Sequence, residues 1–393
     1  MTRDDATGRY PPVALYTKTW LSSGAGLFAQ ELVRGMIDAG GRVTFIAPPA
    51  QDPRFDTPRP GLTRLSSCRE RDSGPRWRRA LSSLARIGSG ALHCLRARSG
   101  TRIFIVTIPD PLVLALPILA LLRLTGARII YVVHDPLPHA WKLPARLRPL
   151  ENSAFAFAYR LSSALVVLSD ASVETLRRHY RLGRREVAMI EHGEFALGEG
   201  VPAPGDGILL LFGTLRRNKG IREAIEGVIR ARARGAAIRL VIAGTPDPVE
   251  PDYWAQCQAI AIGHPDAVTL EIGYVEDDRL RQLIAACDAF LLPYRDFHSQ
   301  SGVAMLAASN ARPTIVSCTG GLGDLVRDGM PAVAIEEPVD SEAVASAIVL
   351  FGETEIMEWN RRAARYRERT STHRAWPKIG EGYLDLARRV EEG

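Results

Sequence analysis

The sequence predicts an α/β protein made of two successive halves, each a parallel sheet wrapped by helices. Three observations carry this. The 393 residues exceed what one hydrophobic core usually holds, so two domains are expected. Short apolar runs alternate with longer amphipathic segments from the first strand onward, the pattern of parallel sheets with right-handed crossovers. Residues 199–207, EGVPAPGDG, are rich in Gly and Pro without periodicity, and the strand–loop–helix pattern restarts at Ile208.

In order, residues 1–12 are polar and read as a tail, and 13–16, VALY, as a first buried strand. Leu21-Ser22-Ser23-Gly24-Ala25-Gly26 is a Gly/Ser loop, and a helix over 27–39 sets Phe28, Leu32 and Met36 on one face. Gly40-Gly41 ends that helix, and 43–47 is the next strand. Between 48 and 100 the pattern weakens and Arg accumulates. A strand at 103–107, an apolar helix from Pro109-Asp110-Pro111 to Leu124 stopped by Gly126, and a strand at 129–133 follow. His134-Asp135-Pro136-Leu137-Pro138-His139 lies just past that strand's carboxyl end, where ligands gather in doubly wound sheets. A helix near 152–161, a strand at 165–168, a helix at 171–180 and a strand at 187–190 lead to Glu191-His192-Gly193.

The second half reads as strand 208–212, loop 213–220, helix 221–234, strand 239–243, helix 253–263, strand 268–272 and helix 278–287. Strand 289–292 then runs through Pro293-Tyr294 and a polar loop to Ser301-Gly302, a small-residue helix 303–311 and a Pro-led apolar run. Strand 332–335 and helix 341–351 complete the half, and the basic, aromatic end 358–392 is helical in composition.

Composition narrows the function. Five cysteines are scattered, odd in number and without a C-x-x-C pair, which argues against a disulfide framework or a zinc site and fits a reducing cytosol. No secretory start is visible, and the longest apolar run, 112–122, is too short to span a bilayer. The net charge of +6 suits nucleic acid, an anionic membrane or a phosphorylated substrate. No recognition-helix, zinc-finger or RNA-binding signature supports nucleic acid.

Two loops point to a phosphate. Ser301-Gly302 ends a loop at a helix N-terminus, where backbone N–H groups and the helix dipole favour an anion. Gly302 has no Cβ, so an anion can approach the backbone closely. Gly213-Thr214-Leu215-Arg216-Arg217-Asn218-Lys219-Gly220 follows the first strand of the second half, and Lys219 with an Arg at a strand's carboxyl edge would neutralise a diphosphate. Alone, that segment reads better as a solvated basic turn; the partner loop at Ser301 shifts the balance. Glu276-Asp277-Asp278 invites a metal reading, but Asp277 and Asp278 are better taken as helix caps.

The motifs, taken in order, resemble the retaining glycosyltransferases of the large family 4, of the glycosyl transferases group 1 type. The spacing G-x-L-x-x-x-K-G at 213–220, a strand ending in Gly244, Gly273-Tyr274-Val275 before an Asp-rich helix start, and Ser301-Gly302-Val303 before a small-residue helix and Pro313 carry the likeness. The first half adds Ser23-Gly24, VHDPLPH and VVLSD followed by IEHGEF, so the resemblance spans roughly 13–387. It implies the GT-B architecture: two Rossmann-like domains with parallel sheets facing across a cleft. It also implies transfer of a sugar from a nucleotide-diphosphate sugar to an acceptor hydroxyl with retention, needing no metal and no cofactor beyond the donor substrate.

Carried over residue by residue, the resemblance makes Gly213, Thr214, Gly244, Tyr274, Val275, His298, Gln300, Ser301, Gly302 and Val303 donor contacts. It gives Arg216 and Lys219 the leaving diphosphate, sets one of His134 and His139 against the transferred sugar or the acceptor, with His134 as the catalytic candidate, and assigns Ser23, Gly24 and His139 to the acceptor. His139 reads equally well as a helix-entry residue, and a turn suffices for His192-Gly193. Departures are visible: the family's Glu-x7-Glu pattern falls on His298 and Leu306, and the Arg usual at the second position of the G-x-L motif is Thr214. Ser299-Gln300-Ser301-Gly302 is similar to a subset of the family with T-Q-S-G there.

The expected layout is an acceptor domain over 1–198, a donor domain over 208–365, and a last helix, 366–393, returning to the first domain. Expected partners are the nucleotide-sugar, a glycan or lipid-linked acceptor, and an anionic membrane surface met by the Arg-rich stretch 54–98 with Trp77, Trp141, Lys142, Arg146 and Arg148. That places the protein in the cytoplasm or on the inner face of the membrane. A solvated basic loop is the plainer account of the Arg stretch, and the membrane reading gains on it because many acceptors of the resembled family are lipid-linked. Two other functions stay open: a silent binding or scaffold subunit, since both family glutamates are absent, and a nucleotide-sugar epimerase.

Overall fold

The computed structural model describes residues 9–18, 24–49, 57–68, 75–108, 112–137 and 145–393. Its backbone falls into two compact units, one running to Gly193 and rejoined by Arg374–Gly393, the other Glu194–His373.

The first unit holds a seven-stranded, all-parallel sheet in the order β3-β2-β1-β4-β5-β6-β7. Its strands are β1 (Val13–Tyr16), β2 (Val43–Ala47), β3 (Leu62–Ser66), β4 (Ile103–Thr107), β5 (Arg128–Val133), β6 (Ala164–Val167) and β7 (Glu186–Met189). β1, β4 and β6 are buried throughout, as expected of apolar strands covered on both faces. The helices are α1 (Gly24–Asp38), α2 (Arg76–Ala97), α3 (Leu112–Leu124), α4 (Arg148–Leu161) and α5 (Asp170–His179). β3 and the 22-residue α2 occupy the stretch where the sequence pattern weakens. Their side chains are largely half-exposed, so neither shows a clean inward period.

The described part of the Arg-rich stretch is therefore structured, and its guanidinia divide. Arg64 lies over the Phe45 ring, Arg86 is buried, and Arg98 ties the end of α2 to Thr125 O at 2.7 Å. Arg78, Arg79 and Arg96 point outward. Arg54, Arg69, Arg71, Trp141 and Lys142 lie outside the described residues, as does the side chain of Arg76.

The second unit holds a six-stranded parallel sheet in the order β10-β9-β8-β11-β12-β13. Its strands are β8 (Ile208–Phe212), β9 (Arg239–Gly244), β10 (Val268–Ile272), β11 (Ala289–Leu292), β12 (Thr314–Ser317) and β13 (Ala332–Ile335). One face is closed by α6 (Ile221–Ala233), α7 (Pro251–Ile262) and α11 (Ser341–Gly352), with Trp359 in the same core. The other is closed by α8 (Asp277–Ala286), α9 (Gly302–Ser309) and α10 (Gly320–Arg327), the last missing from the sequence reading. Each buried Leu or Ile in these cores stabilises by about 1.5–3 kcal/mol.

Both ends of the second unit differ from the expected 208 and 365, for reasons visible in the hydrogen bonds. Phe195 N donates to Ser309 Oγ at 2.9 Å and Leu197 N to Asn310 Oδ1 at 3.1 Å, so the chain joins this unit directly after Gly193. The Gly/Pro stretch is bound too. Asp288 accepts from Gly205 N and Gly207 N, both at 2.6 Å, Asn360 brackets Ala203, and the buried Arg312 guanidinium donates to Val201 O. At the other end α12 (Ile356–His373) belongs here: Tyr366 is in the core, and Arg367 donates to Ser309 O at 2.9 Å and Gly198 O at 3.0 Å. Only α13 (Trp376–Glu392) returns to the first unit, where the backbones of Gly380 on α13 and Gly35 on α1 lie in close contact.

Candidate functional site

In the second unit the strand order reverses between β8 and β11, and a ligand crevice forms outside the carboxyl ends at such a switch point. The loops leaving those strands are locked together. Arg295 N donates to Asn218 O at 2.8 Å, and Arg295 pairs with Glu223 at 2.5 Å. Gly220 adopts a φ of +63°, and a Cβ there would lie 2.0 Å from Pro293 O, so only glycine fits this close crossing.

Lys219 ends a short 3-10 turn, Arg217–Lys219, and is half-buried rather than in an exposed loop. Its Nζ donates to Phe212 O at 3.3 Å and stands 5.3 Å from the centre of the Tyr294 ring. Burial, with the Arg216 charge adding to it, pushes this ammonium down to about 7. Gly213, with a φ of +111°, faces the same point: a Cβ on it would sit 2.9 Å from Lys219 Nζ and 3.6 Å from Val303 Cγ2. Gly213, Lys219 and the first turn of α9 thus converge on one spot.

That first turn starts at Gly302, with Ser301 as N-cap, and the helix ends at Ser309 rather than at 311. Ser301 Oγ accepts from Ala304 N at 3.2 Å, and Ser301 O accepts from Met305 N at 3.1 Å. The amides of Gly302 and Val303, first in the helix, are used by neither bond. Gly302 has no left-handed φ, and a Cβ there would meet only the Phe195 ring at 3.7 Å. Protein packing therefore does not demand glycine at 302. The buried Tyr294 hydroxyl lies beside Ser301, and burial pushes it up to about 12. The loop before Ser301 is held by the start of α10, where Gly321 N donates to Ser299 O at 3.1 Å. Ser299 and Ser301 are buried; His298 and Gln300 are half-buried.

The other residues expected to contact a donor spread along the sheet edge. Gly244 ends β9 with its backbone against Gly213, where a Cβ would fall 1.9 Å from Gly213 O, and Gly273 N donates to Gly244 O at 3.0 Å. Tyr274, exposed, and Val275, packed on the core, follow β10, two strands or roughly 10 Å from the switch point. Thr214 is exposed. Arg216 is paired with Asp247 at 2.7 Å, a partner no sequence signal announced. Leu306, at the family's second Glu position, is buried in the core and offers no hydrogen bond to a ribose. Asp277 and Asp278 are not caps: Glu276 holds that position without a side-chain bond, and Asp278 pairs with Arg281. They stand in the first turn of α8, where they complement the helix dipole.

The first unit gathers a second group. His134, just past β5, places Nε2 2.6 Å from Thr107 Oγ1 at the end of β4. Phe28 of α1 meets its ring edge-on at 4.9 Å, and also packs against His192 at 5.1 Å and Trp376 at 5.6 Å. His192 Nδ1 donates to Gly193 O at 2.8 Å. Burial pushes both histidines down to about 4, with Asp135 opposing it at His134 and the His134 charge adding to it at His192, so both rings are neutral at pH 7. No sequence pattern announces this grouping, because Phe28, His134, His192 and Trp376 lie on four different elements. Gly24 is the first residue of α1, and Ser23 and His139 lie outside the described residues. Among the described residues no group of three or more His, Cys, Asp or Glu side chains could hold a metal ion.

Comparison with known proteins follows this division. The Glycosyltransferase Family 4 profile matches residues 22–193, and the Glycosyl transferases group 1 profile matches 206–351. A GDP-mannose:glycolipid 4-beta-D-mannosyltransferase of Xanthomonas campestris pv. campestris is 25% identical over 264 residues, 66% of this chain and 68% of the relative. A glycogen synthase of Mycobacterium tuberculosis is 26% identical over 260 residues, covering 64% of this chain and 61% of the relative. Among solved structures, sucrose-phosphate synthase from Thermosynechococcus elongatus superposes with a TM-score of 0.73 at 18% identity, covering 97% of this chain and 99% of the other. Anabaena HepE in complex with UDP and glucose superposes with a TM-score of 0.72 at 16% identity, covering 97% and 100%. With a family 4 segment in its first unit, a group 1 segment in its second and the shared fold of these neighbours, the chain is a glycosyltransferase of GT-B architecture.

Proposed function

We propose that this glycosyltransferase moves a sugar from a nucleotide-diphosphate donor to an acceptor hydroxyl, with the second unit holding the donor. The observation that carries the reading is the convergence of Gly213, Lys219 and the first turn of α9 at the β8/β11 switch point. A diphosphate there meets the Lys219 ammonium and the amides of Gly302 and Val303, and the nucleoside extends along Gly213 and Gly244 towards Tyr274 and Val275. As the bond from the anomeric carbon to the diphosphate oxygen breaks, negative charge grows on the leaving group. Fixed donors aimed at that charge lower the barrier more than they stabilise the ground state. Arg216, held by Asp247, adds to the positive potential from the side of β9.

The first unit takes the acceptor. There a neutral His134, oriented by Thr107, can hydrogen-bond a substrate hydroxyl without needing to ionise. The UDP-bound neighbour supports a nucleotide donor, and the relative named for a glycolipid mannosyltransferase supports a lipid-linked acceptor. The expected stereochemistry is retention, without a metal and with the leaving phosphate taking the acceptor proton. The Xanthomonas relative is named for a β-D-mannosyl product, so the anomeric outcome needs direct measurement.

The test is release of nucleoside diphosphate from a panel including UDP-glucose and GDP-mannose, with and without a glycolipid acceptor, and proton NMR of the product's anomeric centre. Acceptor-dependent release supports transfer. Binding without release identifies a silent binder, conversion of the intact nucleotide-sugar identifies an epimerase, and inversion at the anomeric carbon removes the stereochemical assignment alone.

A further inference from the structure

We propose that helix α2 docks the first unit onto an anionic bilayer surface, lying in the interface with its outward apolar stripe inserted among the lipids. The stripe is read directly from the helix. Trp77, Leu81, Leu84, Gly88, Leu92 and Leu95 are all exposed and recur at spacings of four and three, which sets them along one outward line. Trp77 is 60% exposed and Leu92 68%, uncommon for such side chains on a free surface. The line runs for much of a helix about 33 Å long.

The opposite side of α2 is what holds it in place. Arg86, Gly90, Cys94 and Ala97 are buried, Ser89 Oγ accepts from Cys68 N at 2.8 Å, and His93 Nε2 is 3.1 Å from Ser66 O. The helix is fixed to the sheet without using its outward leucines. The neighbouring α3 also exposes Leu114, Leu121 and Leu124, the last 84% exposed.

Charge selects the occupant. Residues 73–150 carry 12 Lys and Arg against two acidic residues, Asp110 and Asp135. In α2 there is no acid at all, and Arg78 and Arg96 flank the stripe and are exposed. An apolar stripe edged by guanidinia fits a surface that offers hydrocarbon beneath a layer of phosphate, which is an anionic leaflet. No helix among the described residues is long and apolar enough to cross a membrane, so the contact is lateral.

The experiment is flotation of the full chain with vesicles of phosphatidylcholine alone or mixed with phosphatidylglycerol, at low and high salt. Binding is expected with the phosphatidylglycerol vesicles and is expected to weaken as salt rises. The paired variant Leu84→Ser/Leu92→Ser and the paired variant Arg78→Gln/Arg96→Gln should each lower partitioning by about tenfold. All four positions are exposed, so melting temperatures should match the parent, and a variant that melts early is replaced by Leu81→Ser/Leu95→Ser or Arg79→Gln/Arg96→Gln. Absence of binding at low salt overturns the proposal, as does full binding by the leucine pair. So does a sedimentation result in which the parent self-associates, the leucine pair does not, and neither floats, since the occupant is then a second copy of the chain. Flotation requires no turnover, so its failure leaves the transfer reading untouched.

Discussion

Two neighbouring residues, Ser301 and Gly302, should separate stability from donor binding when each is changed alone. From the sequence Ser301 offers one hydroxyl bond whose loss should barely move the melting temperature. In the structure that hydroxyl caps α9, accepting from Ala304 N at 3.2 Å. Ser301→Ala should therefore cost about 1 kcal/mol of stability, within the usual range for a lost N-cap. In a unit of this size that is a melting shift of about 2–4 °C. Gly302→Val works the other way. Its φ is not left-handed and its Cβ would meet only Phe195 at 3.7 Å, so stability should stay within about 0.5 kcal/mol. The added methyls, however, stand beside the Gly302 and Val303 amides, where the distal phosphate is proposed to sit. A hydrogen bond to a charged oxygen is worth about 1.5–3 kcal/mol, so displacing the phosphate from one amide should weaken binding by about tenfold to a hundredfold. Thermal melts and calorimetric titration with UDP and GDP read both quantities. Normal nucleotide affinity in folded Gly302→Val would remove this turn from the donor site. A Gly302→Val protein that loses stability in proportion to affinity would make the glycine a packing residue instead.

Three further outcomes follow from the same geometry. Lys219→Met should weaken nucleoside diphosphate binding by about tenfold or more while leaving the melting temperature close to the parent, since the ammonium is costly to bury and the Met stem fits the same space. Because burial pushes the Lys219 ammonium down to about 7, diphosphate binding should take up a proton at higher pH and weaken as pH rises above about 7; calorimetry showing no such slope in the parent would contradict the assignment. In the first unit, His134 and His192 sit at about 4 when folded against 6.5 for an ordinary histidine, so the unfolded chain binds more protons between those values and stability falls as pH drops through 6.5 towards 4. At pH 5 each ring should cost about 2 kcal/mol, less than additively because they interact, and His192→Asn should flatten the melt-against-pH curve; a parent curve already flat there would refute the buried neutral pair.

Much of the fold was legible because most strands are continuous apolar runs and most helices carry a one-sided period. The failures are local and physical. β3, LTRLS, is a half-exposed outer strand, and α2 turns leucines outward, so its apolar residues do not mark the buried face. α10 is short and opens on two glycines, which read as a turn. The unit boundary was placed by composition at 199–207, but composition cannot reveal that Asp288, Asn360 and Arg312, distant in sequence, hydrogen-bond that stretch to the second unit.

At the candidate site, the legible residues are those whose role is backbone geometry. Gly213, Gly220 and Gly244 stand where a Cβ would collide with neighbouring loops or side chains, and a glycine after a strand announces that need. Side-chain partners were not announced, and they decide which cation does what. Arg216 and Lys219 look equivalent in sequence. Arg216, however, already has a carboxylate at 2.7 Å, so an arriving diphosphate gains only what Asp247 leaves uncompensated. Lys219 has a carbonyl oxygen and an aromatic face, which attract a cation without neutralising it. Its ammonium is half-buried, so its attraction to a phosphate is screened less than at the surface. On the proposed reading, charge developing on the leaving group should therefore couple to Lys219 first, with Arg216 acting through the potential it shares with Asp247.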